Sequence, residues 1–245
     1  MPEYDDFAGT YQHWSEADSP YRIVEMHSFF DVLGPVGGQS VLDLACGEGR
    51  TARALVRAGA ASVLGADLSP EMIRRAKEHA APCTGKGASV LRYTVLDARD
   101  RTFQLDRPVD LVTAMYLFHY AETQGQLQAM ADLIARNLKP GGRFVTYTIS
   151  PDFDFANPDP RMKEVCGFDY SVLCGNHLSL NIGTDCVNIW QWSREVHQTC
   201  LTRAGLCEIT WHGLRCPAVT AEIAGSIAFY VANPSCKILS ARKPG

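Results

Sequence analysis

Short apolar runs and amphipathic helical patterns alternate along this chain of 245 residues. The apolar runs predict seven strands, at 41–44, 61–67, 88–95, 110–116, 143–149, 207–212 and 236–241. Helical periodicity predicts helices over 20–33, from residue 50, and over 70–80, 126–138, 194–204 and 220–231. Strands that alternate with helices at this spacing form a mostly parallel sheet. The predicted fold is therefore α/β, a doubly wound, seven-stranded, Rossmann-like sheet.

Local signals set several element boundaries. The first helix is predicted with Ile23, Met26, Phe30 and Leu33 facing inward, and with a glycine as its stop. Before the third helix the predicted cap, Ser69, precedes a proline, the residue that is favoured at the first helical position, and Ser193 is the predicted cap of the helix over 194–204. Residues 139–142, KPGG, predict a tight turn between the fourth helix and the fifth strand.

The pattern changes after the fifth strand. Residues 150–188 are rich in Pro, Asp, Asn, Gly and aromatic residues and show little helical period, and a structureless loop of that length is unusual in a compact domain. We interpret the segment as an inserted cap with a short hairpin. The predicted organisation is an N-terminal helical arm over the active site (1–34), a core (35–149), a substrate cap (150–190) and the C-terminal part of the core sheet (191–245).

Composition narrows the partners and the compartment. The net charge is −4 with no basic block, which argues against a nucleic-acid partner. Nine cysteines without a C-x-x-C pair favour free thiols over a disulfide framework or a zinc site. No apolar run reaches membrane-spanning length, and the acidic, aromatic N-terminus is unlike a signal peptide. We expect a cytoplasmic protein without a metal or a membrane partner.

The segment 40–50, SVLDLACGEGR, joins a buried strand through a small-residue turn to a helix. Ligands of doubly wound folds bind at the carboxyl ends of such strands. The turn also fits the dinucleotide pattern G-x-G-x-x-A, which alone is weak evidence. However, Asp43 at the end of the strand repels a pyrophosphate and attracts a ligand that carries an ammonium and a sulfonium. S-adenosylmethionine (SAM) is such a ligand.

These motifs resemble those of the class I SAM-dependent methyltransferases, in the family's order. The turn resembles the first motif, with Ala45 in place of its usual first glycine, and LKPGG at 138–142 resembles the turn before the fifth strand. The resemblance implies that Asp67 binds the ribose hydroxyls and that Asp97 and Ala98 lie beside the adenine. It implies a SAM site formed by Asp43, Ala45, Cys46, Gly47, Gly49, Asp67, Leu68, Asp97, Ala98, Ala114 and Tyr11. The same interpretation gives Cys46 the role of a small turn residue, not of a nucleophile.

A further resemblance involves YDDFAGTYQHW at 4–14, LFHYAE at 117–122, YTISPDFDF at 147–155 and WSRE at 192–195. These segments are similar to the small-molecule methyltransferases of bacterial secondary metabolism, among them the toxoflavin-pathway N-methyltransferases. The likeness implies a natural-product acceptor, as in antibiotic biosynthesis. In the methyltransferases the acceptor lies after the fourth strand, where His119 is the candidate general base. The alternative is that His119 is only a core or surface histidine.

Four aromatic residues are candidates for substrate contact: Tyr116, Tyr120, Tyr147 and Phe153. Trp190 and Trp192 are interpreted as cap core. The N-terminal aromatics Tyr4, Tyr11 and Trp14 either cover the cofactor or pack on a neighbouring subunit, which makes a homo-oligomer possible.

The sequence thus favours methyl transfer from SAM to N or O of a small aromatic or heterocyclic acceptor by in-line displacement. Carbon methylation of a prenyl or terpenoid chain, with possible carbocation cyclisation, is the alternative. Two other classes stay open: an NAD-dependent oxidoreductase, which Asp43 and LKPGG argue against, and a non-catalytic SAM-binding protein.

Overall fold

The computed structural model describes residues 20–80, 90–182 and 185–245. The predictions for Tyr4, Tyr11 and Trp14 lie outside these residues. Seven strands form the main sheet: β1 (Ser40–Leu44), β2 (Ser62–Asp67), β3 (Leu91–Val95), β4 (Val109–Met115), β5 (Leu138–Ile149), β9 (Cys207–His212) and β10 (Cys236–Arg242). Their order is β3-β2-β1-β4-β5-β10-β9, and only the pairs made by β10 are antiparallel. The predicted doubly wound, seven-stranded sheet is confirmed.

Helices cover both faces of the sheet: α1 (Pro20–Leu33), α2 (Arg50–Arg57), α3 (Pro70–Ala80), α4 (Gln124–Asn137), α5 (Arg161–Cys166), α6 (Arg194–Arg203) and α7 (Ala221–Ala232). A short 3₁₀ turn spans Phe118–Tyr120. The predicted serine caps are present. The Ser69 hydroxyl accepts from the Met72 N–H at 3.1 Å, and the Ser193 hydroxyl accepts from the Val196 N–H at 3.2 Å, so each satisfies an N–H that the first turn of a helix leaves without a partner.

The buried residues of the strands alternate between two cores. In β1, Val41 packs with residues of α1 and α2, whereas Leu42 and Leu44 pack with residues of α4 and α6. This two-sided burial explains why the strand has a nearly continuous apolar sequence. Asp43 shares the face of Val41, which places a carboxylate inside the first core.

The predicted inward face of α1 was wrong in part. Leu33 is fully buried, but Ile23, Met26 and Phe30 are only partly buried. The deepest positions are Tyr21, Val24 and Phe29, together with two charged residues, Arg22 and Glu25. These two form a buried ion pair at 2.8 Å. The prediction followed the apolar positions and therefore placed Arg22 and Glu25 on the outer side of the helix. Because both are buried, the observed inward face differs from the predicted one.

The KPGG segment was predicted as a turn before the fifth strand, and this boundary was wrong. Strand β5 begins at Leu138, which pairs with Val109, and the register then shifts before Leu111 pairs with Arg143. A Cβ at Gly142 would lie 2.8 Å from the Lys139 carbonyl oxygen. The segment is therefore an irregularity inside a longer strand, and the close backbone approach requires glycine there.

The segment after β5 folds into α5 and a separate three-stranded antiparallel sheet. Its strands are β6 (Asp169–Cys174), β7 (His177–Ile182) and β8 (Asp185–Trp190), in the order β6-β7-β8. We call these three strands the cap sheet. The sequence predicted one short hairpin, so one strand was missed. On its inner face Leu178, Val187 and Ile189 are buried in the first core.

Candidate functional site

A cavity of about 590 Å³ lies between the carboxyl ends of the central strands and the cap sheet. Eight residues that were predicted for the site line it: Ala45, Gly47, Asp67, Leu68, Asp97, Ala98, Tyr116 and Tyr120. The cavity is at the edge of the sheet where doubly wound folds bind ligands, and its size is within the range of small-molecule sites.

The turn after β1 combines backbone strain with open space. Ala45 and Gly47 both have positive φ, 51° and 52°. A side chain at Gly47 would meet no atom of the described residues within 4 Å, so among these residues its backbone faces free volume that a ligand can occupy. Ala45 adopts a conformation that costs an L-residue about 1–2 kcal/mol. Strain of this kind at a cavity wall is typical of binding loops.

Gly49 is required for a different reason. Its φ is 81°, and a Cβ there would lie 2.2 Å from the Tyr93 hydroxyl oxygen. The Tyr93 ring thus covers the end of the turn. Gly49 does not line the cavity, so its placement argues for a packing role and not for the predicted cofactor contact.

Asp67 fixes two loops at the cavity. One carboxylate oxygen accepts from the Gly47 N–H at 2.8 Å, and the other accepts from the Ser69 N–H at 2.9 Å. The side chain therefore joins the turn after β1 to the start of α3. This places a carboxylate, held by backbone donors, on the cavity wall at the end of β2.

Asp43 lies beneath the same turn with only 1% of its surface exposed and is not among the residues that line the cavity, so its charge acts on a ligand through the turn above it. Its Oδ1 accepts from the Thr113 hydroxyl at 2.7 Å, whereas Oδ2 is buried without a hydrogen-bond partner among the described residues. Burial, with the charge of Asp67 adding to it, raises the pKa of Asp43 from 3.8 to about 7. An unsatisfied buried carboxylate oxygen is costly, and a cationic ligand group nearby removes that cost.

Asp97 is paired with a residue that the sequence analysis did not single out. Arg99 donates to both oxygens, at 2.9 Å from Nε and 2.8 Å from Nη2. Although partial burial opposes ionisation, these hydrogen bonds hold the pKa of Asp97 below its ordinary value. Both side chains line the cavity, so this wall offers a guanidinium plane as well as a carboxylate.

Other predicted site residues lie off the cavity wall. Cys46 is buried, and burial raises the pKa of its thiol, which argues against a thiolate. Ala114 is buried inside the sheet, and the Tyr147 hydroxyl is 3.1 Å from that of Tyr230 in the core. Phe153 packs edge-on against Phe155 at 4.7 Å. None of these four predicted residues is among those that line the cavity, so their ligand contacts stay predictions, and Tyr11 lies outside the described residues.

His119 is buried, with 3% of its surface exposed, and does not line the cavity. Its ring packs against those of Tyr116 and Tyr120, and its Nδ1 has no hydrogen-bond partner in the described part of the chain. Burial lowers the pKa of His119 to about 3. A base this weak takes a proton poorly at neutral pH, so the geometry favours the alternative of a core histidine.

Tyr116 is the aromatic residue that the fold constrains most. It follows β4 with φ 64° and lines the cavity. Its hydroxyl donates to the buried carboxylate of Glu25 and contacts the Tyr21 hydroxyl. The helix α1 therefore anchors this ring at the end of the strand. The hydroxyl is engaged by these core groups, so the ring is what Tyr116 presents to a ligand.

Sequence reasoning missed eleven cavity residues: Ser69, Met72, Leu96, Arg99, Met115, Leu117, Glu122, Met130, His177, Asn188 and Trp190. Five of them (Ser69, Leu96, Arg99, Met115 and Leu117) directly neighbour a predicted residue along the chain, so proximity to the strand ends was an available signal for those five. The last three of the eleven come from the cap sheet. Trp190 was interpreted as cap core, but it lines the cavity.

Among the described residues, no group of three or more His, Cys, Asp or Glu side chains is arranged to hold a metal ion. None of the helices in the described ranges is long and apolar enough to cross a membrane.

The residues at this end of the cavity fit SAM. The Asp43 oxygen suits a cationic group, the bare Gly47 backbone leaves room for close approach, and Asp67 is a hydrogen-bond acceptor on the cavity wall. Apolar side chains of Leu68, Leu96 and Met72 complete that part of the cavity. None of these groups needs a phosphate as its partner.

The fold is the doubly wound, Rossmann-like α/β fold of the class I methyltransferases. Residues 41–142 match the family described as "Methyltransferase domain". The resemblance drawn from the motifs is thereby confirmed, whereas the likeness to the toxoflavin-pathway enzymes stays a prediction.

Curated relatives include ubiquinone biosynthesis O-methyltransferases. The one from Xylella fastidiosa is 29% identical over 153 residues, which cover 60% of this chain and 59% of that protein. The one from Xanthomonas oryzae pv. oryzae is 30% identical over 154 residues, covering 60% and 61%. The match thus spans about three fifths of the relatives' length.

Solved structures share the fold. A SAM-dependent methyltransferase from Mesorhizobium loti has a TM-score of 0.64 at 22% identity, covering 90% of this chain and 98% of that one. A SAM-bound amino pentose methyltransferase of calicheamicin biosynthesis, from Micromonospora echinaspora, has a TM-score of 0.64 at 16% identity, covering 97% and 96%. At these identities the likeness concerns the fold.

Proposed function

We propose that this protein transfers a methyl group from SAM to oxygen or nitrogen of a small aromatic or heterocyclic molecule. The observation that carries the proposal is a cavity with two unlike walls. One wall is the methyltransferase-domain turn with Asp67, and the other carries the rings of Tyr116, Tyr120 and Trp190. Donor and acceptor molecules therefore have adjoining places at the ends of the same strands.

The first wall holds the cofactor. Asp43 and the turn at 45–47 take its cationic end, Asp67 takes the ribose, and Asp97 with Ala98 takes the adenine. The sulfonium of bound SAM supplies an electrophilic methyl group. The other tasks belong to the chain itself: it binds the acceptor, orients it and keeps water out.

Orientation accounts for most of the proposed acceleration. Holding two reactants near attack distance is worth about 7–11 kcal/mol in favourable cases. The anchored ring of Tyr116 and the cap sheet restrict where a flat acceptor can lie, and the apolar Met115 and Leu117 exclude water beside them. An aromatic or heterocyclic acceptor suits such walls because offset stacking and edge contacts favour ring pairs.

Carbon methylation of a prenyl chain is the second candidate. Aromatic faces stabilise a carbocation, and Tyr116, Tyr120 and Trp190 supply them. Against it, the polar side chains of Asn188 and His177 line the same cavity, and a hydrocarbon acceptor would form no hydrogen bond to either of them. The observations favour oxygen or nitrogen as the acceptor atom. A natural-product acceptor is part of this proposal.

Calorimetric titration with S-adenosylhomocysteine tests the cofactor assignment. We expect Asp67→Ala to weaken binding about 10- to 100-fold, because a hydrogen bond to a charged group is worth about 1.5–3 kcal/mol. Asp106→Ala is the matched control, since Asp106 is exposed and lies outside the cavity. Equal binding by wild type and Asp67→Ala would contradict the assignment.

The rival classes are separated by two further measurements. Titration with NAD in place of S-adenosylhomocysteine identifies an oxidoreductase if only NAD binds. Tight binding of S-adenosylhomocysteine without methyl transfer to any phenol, ring amine or prenyl compound identifies a non-catalytic binding protein.

A further inference from the structure

The cap sheet has one polar face, and that face meets the cavity. In the β7–β8 pair His177 lies opposite Trp190, and Ser179 lies opposite Asn188. The intervening residues Leu178 and Ile189 are 1% exposed and belong to the first core. Because side chains alternate along a strand, His177, Asn188 and Trp190 share the opposite face. All three line the cavity.

Two of these side chains form a flat stack. The imidazole of His177 and the indole of Trp190 have ring centroids 4.7 Å apart and planes 4° apart. This offset stacking fixes both rings in the cavity wall. A planar ligand ring meets a surface that is already ordered, so little side-chain entropy is lost on binding.

The third side chain, Asn188, determines which ring nitrogen of His177 carries the proton. His177 Nε2 lies 2.8 Å from Asn188 Oδ1. An amide oxygen only accepts, so the hydrogen of a neutral imidazole is on Nε2 and the lone pair is on Nδ1. An asparagine that orients a histidine in this way also occurs in cysteine proteases, where that histidine is a base.

We propose that His177, Asn188 and Trp190 form the acceptor subsite, and that the acceptor is a planar aromatic ring bearing a hydroxyl group. This rests on the function proposed above and narrows its acceptor to phenols. The ring packs on the His177–Trp190 stack, and its hydroxyl donates to His177 Nδ1. The ring of Tyr120, on the same wall as Trp190, and the apolar side chains of Met115 and Leu117 suit the rest of such a ring.

The reaction balances with these groups alone. The phenol O–H bond breaks, and its proton forms an N–H bond at His177 Nδ1. An electron pair of the phenol oxygen forms the new C–O bond to the methyl carbon, while the C–S bond breaks and its pair stays on sulfur. The imidazolium then returns its proton to solvent. Asn188 Oδ1 stabilises that imidazolium through the hydrogen bond from Nε2.

Other titratable groups share this cavity. Among the described residues these are Asp67, Asp97, Arg99, Glu122, Tyr116 and Tyr120. Arg99 is bound to Asp97, so it is neutralised locally. The role of His177 must therefore be separated from those of the other groups by replacing His177 itself.

Catechol and 1,2-dimethoxybenzene are the binding probes, titrated with S-adenosylhomocysteine at saturation. They differ in the hydroxyl groups. We expect catechol to bind at least tenfold more tightly, Trp190→Leu to weaken both probes about tenfold, and His177→Gln to weaken only catechol. Neither variant should change the affinity for S-adenosylhomocysteine, which shows that the fold and the cofactor site are intact. His27→Gln, on an exposed residue of α1, is the control.

Labelled SAM with catechol tests the proton transfer. General-base catalysis contributes about 10²- to 10⁴-fold, so His177→Gln should lose at least 100-fold in kcat/KM. Asn188→Ala should lose about tenfold, and Asn188→Asp should restore the rate.

Two results overturn the inference while the proposed function stands: methyl transfer by His177→Gln within twofold of wild type across the pH range, or no binding of catechol to the S-adenosylhomocysteine complex. Absence of S-adenosylhomocysteine binding to wild type removes the proposed function itself, and the inference with it.

Discussion

Replacement of Asp43 by Asn tests the electrostatics of the turn. The raised pKa of about 7, against 3.8 ordinarily, means that the folded state holds the proton of Asp43 more tightly than the unfolded chain. Stability from this group is therefore greatest at low pH and is lost as pH rises from about 4 to about 7. At 1.36 kcal/mol per pH unit, the full loss is about 4 kcal/mol.

The variant removes this dependence. Relative to low pH, ionisation of Asp43 lowers the free energy of unfolding of the wild type by about 2 kcal/mol at about pH 5 and by about 4 kcal/mol at about pH 8. The substituted amide would keep an oxygen for the Thr113 hydroxyl, but its N–H groups are buried and cost about 1–3 kcal/mol. That penalty does not vary with pH. We therefore expect the stability of Asp43→Asn relative to wild type to rise by about 2–3 kcal/mol between about pH 5 and about pH 8.

Urea unfolding without ligand, followed by circular dichroism at both pH values, measures this difference. Asp106→Asn, on an exposed carboxylate, should show no comparable change. The same Asp43 variant should bind S-adenosylhomocysteine about 10- to 100-fold more weakly, because a charged partner of the cationic end is lost. A stability difference that is independent of pH would refute the reasoning, since it would mean that the pKa of Asp43 is not raised to about 7 in the folded protein.

Two further substitutions separate packing from chemistry. Gly49→Ala should lower the free energy of unfolding by about 2–4 kcal/mol, because it combines left-handed backbone strain with a clash on Tyr93. Urea unfolding measures this loss. Adding Tyr93→Ala to the Gly49→Ala variant should recover the part of the loss that is due to the clash, but not the part that is due to the strain. His119→Phe should change methyl transfer by less than about threefold and raise stability by about 1 kcal/mol, because an unsatisfied buried nitrogen is removed. A loss of 100-fold in kcat/KM with normal S-adenosylhomocysteine affinity would restore His119 as the base.

The centre of the sheet was predictable because β1, β4 and most of β5 are buried on both faces. Their continuous apolar runs and the serine caps at Ser69 and Ser193 are local signals that tertiary contacts do not override. The turn after β1 was predictable for a related reason: small residues between a strand and a helix have few alternatives. Six of the predicted cofactor residues line the cavity accordingly: Ala45, Gly47, Asp67, Leu68, Asp97 and Ala98.

The face of α1 and the acceptor wall were not predictable from local pattern. The Arg22–Glu25 pair is buried only because α1 packs between the sheet and other helices, a long-range property. In the cap sheet His177 and Asn188 are polar residues on alternate positions, which is also the pattern of a solvent-exposed strand face. Which of the two faces meets a cavity depends on how the sheet is placed over the core.

The period-two alternation of β7 and β8 has a consequence for how this protein can change. Positions 178, 187 and 189 hold the cap sheet on the core, whereas 177, 188 and 190 face the cavity. Mutations at the second set leave the buried set unaltered, so the recognition surface can diversify without loss of folding. A directed-evolution library confined to these three codons should retain a high fraction of folded members, whereas one at 178, 187 and 189 should not.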